Sequence, residues 1–293
     1  MTTTQLPAPP TVSTVERPAK PAARPGHWWV YLILTAGLAA VISPFVWMLL
    51  SSVKPTREVL SSPPTWWPQQ FTGEHFRSLF ERLDLGTYLA NSVFVAVAVT
   101  VGNMVFCSML GYVLAKLSFR GRRLLFGLVM GMLMVPGMVT FVPLFILVSN
   151  AGLANTYSGL ILPYLVQPVG VFLMRQFISE LPDELIDAAR VDGAGELRIF
   201  ARIVVPLCGP ALATLGIITF LGSWNNFLWP LVVAQTEDMY TMPVALALYS
   251  VGQNSIDYGL LLAGAVVVVV PVLLLFTFLQ RHFTQGIATT GFR

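Results

Sequence analysis

The chain has 293 residues, of which 55% are hydrophobic and only 11% charged, and its mean hydropathy is +0.72. Soluble globular domains carry about 25% charged residues, so this chain lacks the charge to clothe a water-facing surface, and most soluble classes are excluded. The net charge of +3 does not indicate a nucleic-acid partner, because the basic residues fall between apolar runs and are not gathered on one face or tail.

Residues 1–26 are rich in Pro, Thr and Ala and have almost nothing to bury, which predicts a disordered tail. The apolar run from Trp28 to Leu50 that follows is too long for the core of a cleaved leader and suits a membrane span. Five more spans are predicted over 87–115, 124–148, 157–177, 207–234 and 258–280, making 27–293 one transmembrane domain of all-α class. Prolines at 44, 136, 143, 163, 168, 230 and 271 predict kinked helices, since a membrane bundle can re-satisfy the freed carbonyls. Cys107 and Cys208 show no metal or redox spacing and are expected to be buried thiols. His27, His75 and His282 flank spans without a second ligand at helical spacing, so no metal site is expected.

Lys and Arg set the orientation. With the N-terminus in the cytoplasm, 13 of the 17 basic residues lie inside, and the four outside, Lys54, Arg57, Arg77 and Arg82, share one long loop. Six spans with both termini in the cytoplasm follow.

The inside loop between spans four and five, residues 180–206, holds six of the fourteen acidic residues where a simple turn would suffice. Pro182 suits the start of a helix, and Asp183 and Glu184 suit the positive end of its dipole. Leu181, Leu185, Ala188 or Ala189, and Asp192 recur at 3–4 spacing, Gly193 breaks the helix, and a second short run covers 196–203. A short amphipathic helix parallel to the membrane is predicted. Its acidic face has the wrong sign for anionic headgroups, which favours a docking surface for a cytoplasmic protein over a lipid-lying helix.

Membrane-depth positions carry no Asp or Glu, and Arg175 lies near the inner end of span four, which disfavours ion-coupled carriage and favours a neutral cargo. The uncharged polar groups are Asn91, Asn103, Gln167, Ser223, Asn225 and Asn226, beside Trp224 and Trp229. Amides can pair with hydroxyls and an indole can cover a sugar ring, so Ser223, Trp224, Asn225, Asn226 and Trp229 are the candidate substrate path. Helix-to-helix bonding is the competing role, and it is preferred for Asn91 and Asn103. Trp66 and Trp67 in the outer loop read as an interfacial anchor, and secondarily as a landing surface. None of the three lysines follows a glycine, so the chain has no P-loop of its own.

The segment Asp187-Ala-Ala-Arg-Val-Asp-Gly193, followed by Ile203-Val-Val-Pro206, resembles the cytoplasmic "EAA" loop of binding-protein-dependent ABC importer permeases. Asp187 stands where the pattern has Glu, and Val205 where it has Leu. Asn91-Ser92, Phe119-Arg-Gly-Arg122, Ile161-Leu-Pro163, Trp224-Asn-Asn-Phe227 and Gln280-Arg281 extend the resemblance to the carbohydrate-uptake branch, specifically to the second permease of maltose-type systems. The C-terminal Gly-Phe-Arg departs from that branch. The resemblance implies that Glu184, Asp187, Ala188, Ala189, Asp192 and Gly193 couple the chain to an ATPase. It also implies a second permease in a heterodimer, two ATPase copies using ATP and Mg, an extracytoplasmic solute-binding protein, and no cofactor or catalysis in this chain. Other readings are a permease for a glycerophosphodiester or amino acid, and an ATP-independent carrier or channel.

Overall fold

The computed structural model describes residues 28–250 and 257–290, the stretch beyond Leu274 mainly as backbone. The predicted tail over 1–26, His27 and the last three residues lie outside the described residues, as do the side chains of Arg281, His282 and Gly286. The described residues form helices and no strand.

In chain order, α1 spans Trp28–Ser52, and the loop after it forms α2 (Thr56–Val59) and α3 (Glu74–Arg82). The longest proline-free helix, α4, covers Leu85–Lys116. Then come α5 (Arg122–Met134), α6 (Gly137–Asn150), α7 (Tyr157–Ile161), α8 (Pro168–Ser179), α9 (Asp183–Val191) and α10 (Glu196–Ile199). A π-helical stretch over Phe200–Val204 leads into α11 (Val205–Leu207), α12 (Gly209–Trp224), α13 (Leu228–Val233), α14 (Met242–Ser250) and α15 (Tyr258–Thr290).

α1 and α4 are each long and apolar enough to cross a membrane. Three further pairs qualify only as bent spans: α5 with α6 at 106°, α7 and its 3-10 extension with α8 at 43°, and the 196–207 run with α12 at 81°. The expected single span over 124–148 is therefore two helices meeting almost at right angles. Pro136 explains the break, because it has no N–H to donate and holds Val135 in an extended conformation (φ −85°, ψ 118°). The span expected over 207–234 also divides, with α12 ending at Trp224 and α13 beginning at Leu228. Here the Asn225-Asn226 pair caps both sides of the break: the Leu221 carbonyl accepts the Asn225 N–H at 3.1 Å and also Asn225 Nδ2 at 3.0 Å, and Asn226 Oδ1 accepts the Trp229 N–H at 3.3 Å.

From Val46 onward the core is organised around α4, which packs most extensively on α8 and α12. Its buried positions, among them Leu85, Tyr88, Ser92, Val95, Val99, Asn103, Cys107, Gly111 and Leu114, recur every three or four residues as one stripe. Two glycines let the backbones approach. A Cβ on Gly111 would lie 2.8 Å from the Arg175 backbone nitrogen, and one on Gly170 would lie 2.8 Å from Asn103 Oδ1. At the N-terminal end of α4, Leu79, Leu83, Tyr88, Met242 and Leu260 bring α3, α4, α14 and α15 into one apolar cluster. His75 is buried there, its Nε2 2.8 Å from the Lys54 carbonyl oxygen. Trp66 and Trp67 are exposed, and Trp66 meets Trp47 edge-on at 5.1 Å. Cys107 and Cys208 are buried free thiols.

Candidate functional site: the inner loop and its clamp

The helix expected from Pro182 forms as α9, with Asp183 and Glu184 in its first turn. Its C-terminus closes as a Schellman turn. Gly193 sits at φ +79°, its N–H donates to the Arg190 carbonyl at 3.0 Å, and the Ala194 N–H reaches the Ala189 carbonyl at 2.9 Å. Only a residue at ease in the left-handed region satisfies both bonds without strain, which accounts for glycine.

The faces of α9 differ from the expected stripe. Ile186 is the residue that anchors it, 2% exposed within the core cluster of Tyr112, Met174, Ile178 and Ile199. Leu181 and Ala189 lean on the same cluster, while Leu185 and Ala188 face outward with Val191, which is 88% exposed. The single apolar face expected from Leu181, Leu185, Ala188 or Ala189 and Asp192 is thus divided between an inward and an outward side. Burying Ile186 is worth about 1.5–3 kcal/mol, comparable to what Leu185 forgoes by facing outward, and Leu181 and Ala189 packing on the same cluster add to the inward side. Outside lies a surface of Leu185, Ala188 and Val191 edged by Glu184, Asp187 and Asp192, all exposed.

Three residues that the sequence reading left as topology signals, or passed over, hold this loop in place: Lys116, Tyr112 and Arg190. Lys116, at the end of α4 with only 5% of its side chain exposed, donates at 2.6 Å to both the Leu181 carbonyl and the Asp183 carboxylate. One turn back on α4, the buried Tyr112 hydroxyl donates to Glu196. Glu196 also accepts Arg190 Nε at 2.8 Å, and Arg190 Nη1 reaches Asp187 at 2.9 Å. Arg122 closes the end of α4 by donating to the carbonyls of Leu114 and Ala115 at 2.8 and 2.9 Å. Hydrogen bonding from Lys116 holds the Asp183 carboxyl below its ordinary range, and Arg190, then Tyr112, do the same for Glu196. The readable signal was the pairing of a tyrosine and a lysine four apart at the end of an apolar helix, which puts both on one face.

The candidate substrate path does not gather into one cluster. Trp224 is buried, donates from its indole nitrogen to the Val268 carbonyl at 3.2 Å and stacks on Phe220. Trp229 is 1% exposed, donates to the Gly159 carbonyl at 3.1 Å and sits edge-on to Phe141 and Tyr164. Both indoles are engaged in helix packing. Asn225 is exposed and Ser223 and Asn226 are half-buried. Asn91 and Asn103 have the helix-bonding geometry preferred for them: Asn91 donates to the Asp238 and Tyr240 carbonyls and accepts the Tyr157 hydroxyl, and Asn103 donates to the Tyr164 carbonyl.

Residues 108–289 match the family model described as "Binding-protein-dependent transport system inner membrane component". An arabinooligosaccharides transport system permease protein of Halalkalibacterium halodurans is 41% identical, over 88% of this chain and 95% of that one. A diacetylchitobiose uptake system permease protein of Streptomyces coelicolor is 38% identical over 86% of this chain and 84% of that one. Among solved structures, a bacterial ABC transporter that imports the acidic polysaccharide alginate has a chain of the same fold, with a TM-score of 0.78 at 21% identity over 87% of this chain and 95% of that one. The chain belongs to this family: it is a multi-pass membrane permease subunit of an ABC import system, and ATP hydrolysis belongs to a separate partner.

Proposed function

We propose that this permease forms part of the import path for a neutral oligosaccharide or similar sugar, and takes its drive from an ATPase docked on α9. The observation that carries the coupling reading is the outward face of α9, where Leu185, Ala188 and Val191 stand exposed between Glu184, Asp187 and Asp192 on a helix anchored by Ile186. Apolar side chains at the centre and carboxylates at the rim suit a protein cleft better than an anionic lipid surface. Gly193 sets the turn that carries the chain back towards the membrane. In the orientation implied by the basic residues, α9 and both termini are cytoplasmic and the chain crosses six times.

The sugar reading rests on two supports. Relatives of high coverage are named for oligosaccharide uptake, and the described part of the spans holds no acidic residue to pair with a charged cargo beyond Glu196 at the end of one of them, which is already bonded to Tyr112 and Arg190. Ser223, Asn225 and Asn226 are the groups we assign to the path, with the two indoles shaping it from behind. A non-identical second permease, two ATPase copies supplied with ATP and Mg, and an extracytoplasmic binding protein complete the assembly, and no cofactor is assigned to this chain. The test is purification from mild detergent with the co-purifying proteins identified, followed by uptake of labelled neutral oligosaccharides against amino acids and glycerophosphodiesters. Co-purification of an ATPase with oligosaccharide uptake supports the reading. A subunit that purifies alone and moves solute down its gradient overturns it.

A further inference from the structure

We propose that α4 is a transmission rod, with Tyr112 and Lys116 as the inner positioning residues and Asn91 and Ser92 as the outer ones, so that α9 and the segment 238–242 move as one body; this rests on the coupling reading above. Three observations combine. First, α4 is a 32-residue helix without proline, whereas α1 and α15 contain Pro44 and Pro271 and the other spans are broken. An uninterrupted helix is the stiffest element available to carry a displacement through a membrane.

Second, both ends grip a loop through buried polar groups. At the inner end Lys116 holds the Leu181 carbonyl just ahead of α9 and Asp183 at its first position, and Tyr112 holds Glu196 beyond it. Glu196 in turn takes Arg190 from the last turn of α9. Both flanks of α9 are therefore tied to a single turn of α4. At the outer end Asn91 donates to the carbonyls of Asp238 and Tyr240 at 2.8 and 2.9 Å and accepts the Tyr157 hydroxyl at 2.6 Å. Ser92 Oγ accepts the Met242 N–H at 2.8 Å. Asn91, Ser92 and Tyr112 are each no more than 4% exposed, so a slipping grip would leave buried polar groups unpaired.

Third, the spacing fits the bilayer. Asn91 and Tyr112 are separated by about 31 Å along the helix at ~1.5 Å per residue, close to the hydrocarbon thickness of about 30 Å. A displacement of α9 is thereby delivered at the opposite face, on the segment 238–242.

The test uses the complex carrying spin labels on Arg198→Cys and Glu237→Cys, both exposed positions at opposite ends of the rod, with Cys107 and Cys208 replaced by Ala. Their separation is measured by pulsed electron resonance without nucleotide and with ATP and vanadate. The expected result is one unchanged separation in the parent protein, and a nucleotide-dependent shift of several ångströms once Tyr112→Phe and Lys116→Met are introduced. A merely structural role for these residues would alter assembly and not the nucleotide dependence of a distance. If that pair fails to assemble, Tyr112→Phe alone, which keeps the ring against Phe200, and Ser92→Ala, which loses one hydroxyl, carry the same expectation. A parent separation that shifts by about a helical turn, ~5 Å, overturns the rod, as do variants that keep the separation fixed. If no ATPase accompanies the parent protein, the coupling reading fails and the rod fails with it; an ATPase that binds to a chain whose separation shifts removes the rod alone.

Discussion

The Lys116 ammonium, with 5% of its side chain exposed, meets the Asp183 carboxylate at 2.6 Å, while 76% of the Asp183 side chain faces solvent. The pair therefore ties a group inside the bundle to a group on its rim. Because water reaches Asp183, the pair's value lies in fixing where α9 starts more than in stabilising the fold.

This geometry sets a pH dependence. The Asp183 and Glu196 carboxyls both lie below their ordinary range in the folded chain. A depressed folded value contributes stability above the unfolded pKa and loses it as pH falls through the folded one. Hydrogen-exchange protection of 183–196, corrected for intrinsic rates, should hold from pH 8 to about pH 5 and fall below about pH 4. Unchanged protection at the acid end would mean that these carboxylates do not fasten the loop.

Gly193 gives a graded series. Its φ of +79° and the absence of any atom near a built Cβ make the cost one of conformation, not of space. Gly193→Asn, at ease in the left-handed region, should retain ATPase co-purification, and Gly193→Ala should weaken α9 by about 1 kcal/mol. Gly193→Pro removes the N–H that bonds Arg190 and should abolish ATPase retention and transport while leaving membrane insertion intact. Full uptake by the proline variant would remove α9 from the coupling path.

Gly111 is constrained by its neighbours instead. A methyl group there would meet the backbone nitrogen of Arg175 at 2.8 Å, and backbone cannot rotate aside. Gly111→Ala should separate α4 from α8 and cost about 1–3 kcal/mol, visible as a lower unfolding temperature in detergent. Gly127→Ala, with open space around its built Cβ, serves as the matched control. Equal unfolding temperatures for the two would show that the crossing tolerates the extra volume.

The fold class and the inner helix were legible because each rests on local chemistry. Long uncharged runs fix membrane helices, and the run from Pro182 through Asp183 and Glu184 to Gly193 marks a helix with both ends signed. What was not legible depends on distant partners. Leu185 and Leu181 look alike in a helical pattern, and only contact between Ile186 and the cluster around Tyr112 and Met174 decides which of them faces inward. Prolines 136 and 163 predict a disturbance of the helix, but the size of the turn is set by what α5 to α8 pack against. Lys116 counted correctly as a basic residue at a span end, yet its bonds to Leu181 and Asp183 cross more than sixty residues of chain.

The same distinction separates the members of the substrate-path group. Trp224 is 2% exposed and tied to the Val268 carbonyl, so Trp224→Ala removes a packed ring and leaves that carbonyl without its donor. A loss of about 3–5 kcal/mol is expected, and the subunit should lose both thermal stability and partner association. Asn225 is exposed and bonds only the Leu221 carbonyl of its own helix, so Asn225→Ala should cost under about 1 kcal/mol. If Asn225 faces the path, that variant assembles normally and takes up less solute, with the effect on half-saturating concentration larger than on maximal rate. Uptake and thermal unfolding measured side by side separate the roles. A Trp224→Ala protein that stays stable but loses uptake would return the indole to the path, and an Asn225→Ala protein with unaltered uptake would take the amide out of it.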